Sequence, residues 1–332
     1  MVLSTTRTAS VERPDPRSVR ISVTDRCDLA CTYCRPSRAD GYVEGRLSLG
    51  EWEHLVDGLI ASGVRRFRLT GGEPLLYAGL VDLCSMIASR GVQDLALTTN
   101  ATRLARFAQP LKDAGLMRIN VSIDSLREDR FRTMTRGGDL KAVLDGLFAA
   151  QRVGFAPIKL NAVVVRGSND DELVDLVRFA WQHDFVPRFL EVMKIGEGAA
   201  MLDAAPSSLV TVREMRGRLA SLLVEDAPSL EPDRGPAKYV ASRTSAAHRV
   251  GFISGTSDTY CAACDRLRVS SSGVLRPCLA TEAGVATKDP TGVLGDVPAL
   301  VKQAWAEKPD GALFKGCTEP SASKMSIRAI GG

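Results

Sequence analysis

Between positions 19 and 194 six short runs rich in β-forming residues alternate with five stretches of helical spacing, and nothing else restricts the fold as much. Strand candidates lie at 19–24, 65–70, 94–99, 117–124, 156–166 and 187–194; helix candidates lie at 49–62, 80–90, 101–114, 140–153 and 170–183. In the last helix Leu173, Leu176, Val177, Ala180 and Trp181 share one face, and Asn169 and Asp170 are available to cap it. Strands separated by helices of this length pair in parallel through right-handed crossovers. The pattern predicts an α/β barrel, either complete or short of its last units.

After Ala204 the pattern changes. A helix is expected around 212–224, and the passage DAPSLEPDRGPAKY that follows reads as a connector. The expected organisation is a loose tail over 1–17, a barrel over 18–233, and a separate C-terminal region over 234–332, with the boundary near Asp233. Lys and Arg number 43 against 39 Asp and Glu, a net charge of +4. That excess is too small to argue for nucleic acid and suits a local pocket for a small anion equally well. The first residues lack the apolar segment of a secretory signal. No apolar run reaches the roughly eighteen residues that a membrane helix needs. In a chain of this kind the 8 cysteines read as metal ligands rather than as disulfides.

Three of them, Cys27, Cys31 and Cys34, are compressed into DRCDLACTYC, directly after the first strand candidate. Thiolates are soft ligands suited to iron–sulfur clusters or zinc. A closed structural zinc site wants four protein ligands, whereas three cysteines around a cubane leave one iron open to a reactant. CxxxCxYC in this position resembles the radical S-adenosylmethionine (SAM) superfamily. The resemblance implies a [4Fe–4S] cluster on Cys27, Cys31 and Cys34, with SAM chelating the fourth iron and yielding a 5′-deoxyadenosyl radical on reduction. It further implies SAM contacts from Tyr33, Gly71, Gly72 and Glu73 of GGEP, Thr98, Thr99, Ser122 and Met193. From the residues alone, GGEP is equally a tight turn. On the fourth strand candidate Asn120, Ser122 and Asp124 alternate with Ile119, Val121 and Ile123, so one face is polar.

A second triplet, Cys261, Cys264 and Cys278, pairs CxxC with a distant cysteine, a pattern whose generic reading is zinc. Cys317 is a candidate fourth ligand, and Cys84, in an apolar helical context, is expected to be buried. CAACDRLRVSSSGVLRPCL, with RISVTDRC, RLTGGEPLL, RINVSIDSL, PIKLNAVVVRG and the terminal IGG, is similar to the GTP 3′,8-cyclase family from Ser18 onward. That likeness implies an incomplete (βα)6 TIM-like barrel whose C-terminal extension carries a second [4Fe–4S] cluster, binding the guanine of GTP through its open iron. It implies that the enzyme cyclises GTP, in the first step of molybdenum-cofactor biosynthesis. The implied partners are GTP, a flavodoxin- or ferredoxin-type electron donor and a downstream cyclic pyranopterin monophosphate synthase, in a cytoplasmic protein; a homodimer is compatible.

The triphosphate requires fixed cations, and Arg20, Lys159, Arg188, Arg266 and Arg268 are the candidates. Arg266 and Arg268, one residue apart, point the same way on an extended strand, close to Cys264. No P-loop GxxxxGK[ST] is present, as expected where GTP is rearranged rather than hydrolysed. The family likeness also brings the tail Gly331 and Gly332 into the active site, although MSIRAIGG separates Met325 from Ile330 by more residues than is usual there. Asp28 and Asp265 stand where asparagine is common, Tyr77 where arginine is, and Ala101 where glycine is. Two other readings stay open: a radical SAM enzyme acting on a peptide or another metabolite, and a noncatalytic zinc- and nucleotide-binding module.

Overall fold

The computed structural model describes residues 15–35, 42, 45–224, 235–258, 261, 264–309 and 327. The strands are β1 (Ser18–Ser22), β2 (Arg66–Thr70), β3 (Asp94–Thr99), β4 (Arg118–Ser122), β5 (Lys159–Val164), β6 (Val186–Glu191), β7 (Lys238–Ala241), β8 (Arg249–Ile253), β9 (Arg266–Val269), β10 (Val274–Arg276) and β11 (Val285–Ala286). They form one sheet in the order β11-β10-β9-β1-β2-β3-β4-β5-β6-β8-β7. β1 to β6 are consecutive and parallel, and β1 and β6 do not pair with each other. The barrel is therefore incomplete. Both open edges are extended by later strands, since β9 adds parallel to β1 and β8 parallel to β6. Beyond β10, Leu279 packs on Ile195 with Met193 and Ile327 alongside, so the two edges meet through side chains above the opening.

Alternation along the strands sorts their side chains. On β5, Leu160, Ala162 and Val164 are buried in the hydrophobic layers under the helices, while Lys159, Asn161 and Val163 line interior cavities. The Leu49–Ala61 helix starts at a capping box in which Ser48 and Glu51 satisfy each other's backbone donors. It buries Trp52, Leu55, Val56 and Leu59, each contributing about 1.5–3 kcal/mol of transfer free energy. Cys84 is buried in the same core, as its context predicts.

Several local expectations are corrected. The helix expected at 212–224 is Val212–Arg218; the chain then turns, and Val224 N–H donates to Ala241 O at 3.0 Å beside β7. Asn169 does not cap the following helix, Leu173–Gln182. Its Oδ1 accepts from Val165 N–H at 2.9 Å and its Nδ2 donates to Asp124 O at 2.7 Å, which ties the ends of β4 and β5 together. The helix expected from residue 101 begins at Leu104, because Ala101 has φ of 62°. The helices Glu128–Met134 and Glu197–Ala204 were not anticipated. No helix among the described residues is long and apolar enough to cross a membrane.

Candidate functional site

The first cysteine loop rests on the chain that follows β2. Gly72 N–H donates to Thr24 O and Glu73 N–H to Arg26 O, each at 2.7 Å. A Cβ at Gly72 would lie 2.4 Å from Arg26 O, and one at Gly71 would lie 2.3 Å from Thr24 O. Only glycine allows the two backbones this approach. Cys27, Cys31 and Cys34 then face one cavity of about 230 Å³ inside the barrel, which Tyr33, Gly71, Gly72, Thr98, Thr99, Ser122 and Met193 also line. Burial, then the charge of Glu73, pushes the Cys27 thiol up to about 12; burial and Asp124 raise Cys31 as well. Thiols held in this way ionise when a metal replaces the proton.

Glu73 is fully buried beneath this cavity rather than on its wall. Its carboxylate accepts from Leu75 N–H at 3.0 Å, Thr99 Oγ1 at 2.6 Å and Asn100 N–H at 2.7 Å. Burial raises it to about 7 against these three donors. Asp28 accepts from Asn100 Nδ2 at 2.8 Å and Thr102 Oγ1 at 2.7 Å. Across the cavity, Tyr33 donates its hydroxyl to Asp124 Oδ2 at 2.7 Å, and Asp124 Oδ1 accepts from Val163 N–H at 2.9 Å. Burial lifts Asp124 to about 6 in spite of both bonds.

Arg20, Arg68, Arg188 and Arg268 form the opposite end. The register sets Arg20 between Arg68 on β2 and Arg268 on β9, so three guanidiniums occupy one layer. Arg188 donates to Asn120 Oδ1 at 2.7 Å. Burial, then the charges of Arg188 and Arg118, lowers Arg68 to about 9. Arg20, Arg68 and Arg188 also border a second chamber of about 1030 Å³, together with Lys159, Arg249 and Arg266. Lys159 lies in that chamber alone, with Nζ 5.2 Å from the Tyr239 ring centroid. Arg266 lines this chamber while Arg268 lines the cysteine cavity, so the pair serves two connected levels. Asp265 is ion-paired with Arg66 and accepts from Ser18 Oγ at 3.1 Å, which offsets the negative charge it brings.

Cys261, Cys264 and Cys278 lie near the start of β9. Burial raises Cys264, but Arg266 and Lys308 outweigh it and hold the thiol at about 7. Lys308 Nζ donates to Arg266 O and Pro277 O, each at 2.7 Å, joining the segments that carry Cys264 and Cys278. Cys317, Gly331 and Gly332 lie outside the described residues. Among the described residues, no group of three His, Cys, Asp or Glu donors is spaced to hold a single metal ion. Cubane thiolates each bond a different iron and do not converge on one point.

Sequence reasoning missed Arg68, Glu191, Asn161 and Lys308. Arg68 had a usable signal, since RRFRLT repeats the basic alternation of VRIS on the neighbouring strand. Glu191 accepts from Val212 N–H at 2.7 Å, Thr256 N–H at 2.9 Å and Ser257 N–H at 2.8 Å, fastening the end of β6 to later segments. No local pattern announces such a knot.

Residues 21–180 match the model of the Radical SAM superfamily, and residues 186–314 match that of Molybdenum Cofactor Synthesis C. A GTP 3′,8-cyclase of Pseudomonas putida (strain W619) is 45% identical over 268 residues, covering 80% of this chain and 79% of that relative. One from Heliobacterium modesticaldum (strain ATCC 51547 / Ice1) is 41% identical over 281 residues, covering 83% and 84%. Among solved structures, Streptococcus suis SuiB bound to S-adenosylmethionine superposes with a TM-score of 0.61 at 13% identity, over 95% of this chain and 78% of that one. That last likeness concerns the fold.

Proposed function

The chain belongs to the GTP 3′,8-cyclase family of radical SAM enzymes, and on that premise we propose how its residues divide the work. It is a radical SAM enzyme that cyclises GTP to (8S)-3′,8-cyclo-7,8-dihydroguanosine 5′-triphosphate, the first step of molybdenum-cofactor biosynthesis. A [4Fe–4S] cluster and SAM belong to that chemistry and, when bound, supply the radical that removes hydrogen from C3′ of the ribose. Cys27, Cys31 and Cys34 suit the cluster, as soft donors facing one cavity above a glycine shelf. Around them Tyr33, Gly71, Gly72, Thr98, Thr99, Ser122 and Met193 would hold SAM. Glu73 would act through Thr99 and Asn100, which it anchors.

The observation that carries the assignment is that the cysteine cavity and the guanidinium layer are two ends of one barrel interior. A substrate bearing several negative charges suits the layer, and Arg20, Lys159, Arg188, Arg266 and Arg268 would hold its phosphates. Cys261, Cys264 and Cys278 would carry a second [4Fe–4S] cluster that receives the guanine. In this reading 18–233 is the radical SAM barrel, 234–332 closes it and carries the second centre, and Gly331 and Gly332 reach the substrate. A reducing compartment such as the cytoplasm, a flavodoxin- or ferredoxin-type donor and hand-over to cyclic pyranopterin monophosphate synthase complete the proposal.

Anaerobically reconstituted, reduced protein given SAM and GTP is expected to form 5′-deoxyadenosine and the cyclised nucleotide together. SAM cleavage without a GTP-derived cyclic product would defeat the substrate assignment and leave the enzyme class standing.

A further inference from the structure

Asp28 follows Cys27 directly, and its carboxylate is turned back towards that sulfur, with Oδ1 4.0 Å from Cys27 Sγ. The side chain is 26% exposed, so water and salt screen its charge only in part. The groups around it are donors: Asn100 Nδ2 to Oδ1 at 2.8 Å, Thr102 Oγ1 to Oδ2 at 2.7 Å, and Arg103 Nε 3.7 Å from Oδ2. Such surroundings suit a carboxylate, which accepts only.

The same residues decide what else reaches the sulfur. Thr102 N–H donates to Asn100 Oδ1 at 3.0 Å, which fixes the amide with Nδ2 towards Asp28 and Cys27. Nδ2 gives its short bond to the carboxylate and stands 3.9 Å from Cys27 Sγ. Leu29 N–H is the nearer donor to that sulfur, at 3.4 Å. As a thiol, Cys27 offers its own proton towards Asp28. As an iron ligand it has no proton to offer, and sulfur and carboxylate then meet as two negative groups. Reduction adds an electron, which a neighbouring anion repels and hydrogen bonds to the sulfurs welcome. Asp28 opposes reduction in both ways, by its own charge and by engaging the Asn100 amide.

We propose that the Asp28 carboxylate lowers the reduction potential of the cluster held by Cys27, Cys31 and Cys34, and so sets how strong an electron donor the enzyme requires. The inference rests on the radical SAM reading above and adds a residue that tunes the centre without ligating it. The couple is a one-electron step: the flavodoxin- or ferredoxin-type donor loses an electron and the cluster passes from its 2+ to its 1+ state. A lower potential makes the reduced centre a stronger reductant towards SAM and demands a correspondingly stronger donor.

The test is anaerobic potentiometric titration, read by EPR, of reconstituted holoenzyme in wild type, Asp28→Asn, Asp28→Ala and Asp28→Glu. The first centre is recognised by the change that SAM makes in its signal, which also serves as the check on folding; the second centre is the internal reference. Asp28→Asn keeps the size and removes the charge. It is expected to favour reduction of the first centre about tenfold, a rise of about 59 mV for one electron. Asp28→Ala should raise the potential likewise, whereas Asp28→Glu, which keeps the charge, should stay close to wild type. The second centre should keep its potential throughout. A first-centre potential that is unchanged or lower in Asp28→Asn and Asp28→Ala overturns the proposal. So does an equal rise in Asp28→Glu or an equal shift of both centres, since either would report a disturbed loop rather than a lost charge. The titration needs no GTP. Wild type that cleaves SAM without forming a cyclic nucleotide therefore defeats the substrate reading and leaves the potentials to decide Asp28.

Discussion

Arg68 shows how a single residue trades stability for binding. The fold brings its guanidinium among Arg20, Arg188 and Arg118 in a half-buried layer, and its pKa falls to about 9. A base whose folded pKa lies below its unfolded value carries its charge at a cost to the fold. That cost is present in full below about pH 9, where both states are protonated, and fades only as the pH rises above it towards the ordinary arginine range. Arg68→Met should therefore raise the unfolding midpoint of the nucleotide-free protein at pH 7 by a few degrees. The same change should weaken GTP binding about tenfold or more, because one charge-assisted contact is lost. Differential scanning with and without GTP separates the two effects, and a lower midpoint without nucleotide would refute the argument. At this scale the sequence was legible only in part. Arg20 and Arg268 declared themselves by their motifs, whereas Arg68 became significant only when the register aligned it with both. Asp28 looked discordant as a letter, yet Asn100, Thr102 and Arg103 surround its carboxylate, and the extra charge is accommodated. Ala101 adopts the left-handed conformation that glycine favours, which explains physically why glycine is common there.

At the scale of elements, alternation and helical spacing carried the six barrel strands and the longer helices, since one buried face repeats along each. What escaped was decided by contacts distant in sequence. The short helix Glu128–Met134 has too few turns for a periodic signal, and Asn169 is drawn from its expected cap position by two strand ends. The Lys308 clamp belongs to the same class. It follows the Val297–Ala306 helix, its Nζ lies 4.6 Å from the Trp305 ring centroid, and it reaches carbonyls beside Cys264 and Cys278. Lys308→Met removes two bonds made by a charged donor and leaves two carbonyls unmet, a loss of about 2–3 kcal/mol locally. The expected outcome is severalfold faster release of iron to a chelator from the second triplet, with the first triplet's SAM-dependent EPR signal unchanged. Lys308→Arg should restore most of the retention. Equal release rates in wild type and Lys308→Met would count against the clamp.

Over the whole molecule, the incomplete barrel concentrates like charges inside a protein whose net charge is only +4. Arg20, Arg68, Arg188 and Arg268 line the cavity and three of them continue into the lower chamber with Lys159, Arg249 and Arg266. Repulsion of this kind is tolerable because a polyanion relieves it on binding, and relief should scale with the number of phosphates. Stabilisation of the folded state by ligand follows from affinity and concentration alone. At equal concentration, GTP should therefore raise the unfolding midpoint more than GDP, GDP more than GMP, and guanosine least. The differences should shrink as ionic strength rises, although less than for a surface site, because buried pairs are screened less. Arg20→Ala should compress the whole series, since Arg20 borders both chambers; Lys159→Ala, confined to the lower one, should chiefly erase the gap between GTP and GDP. A series in which guanosine stabilises as well as GTP would mean that the base, not the triphosphate, supplies the binding energy. The cation layer would then need another explanation.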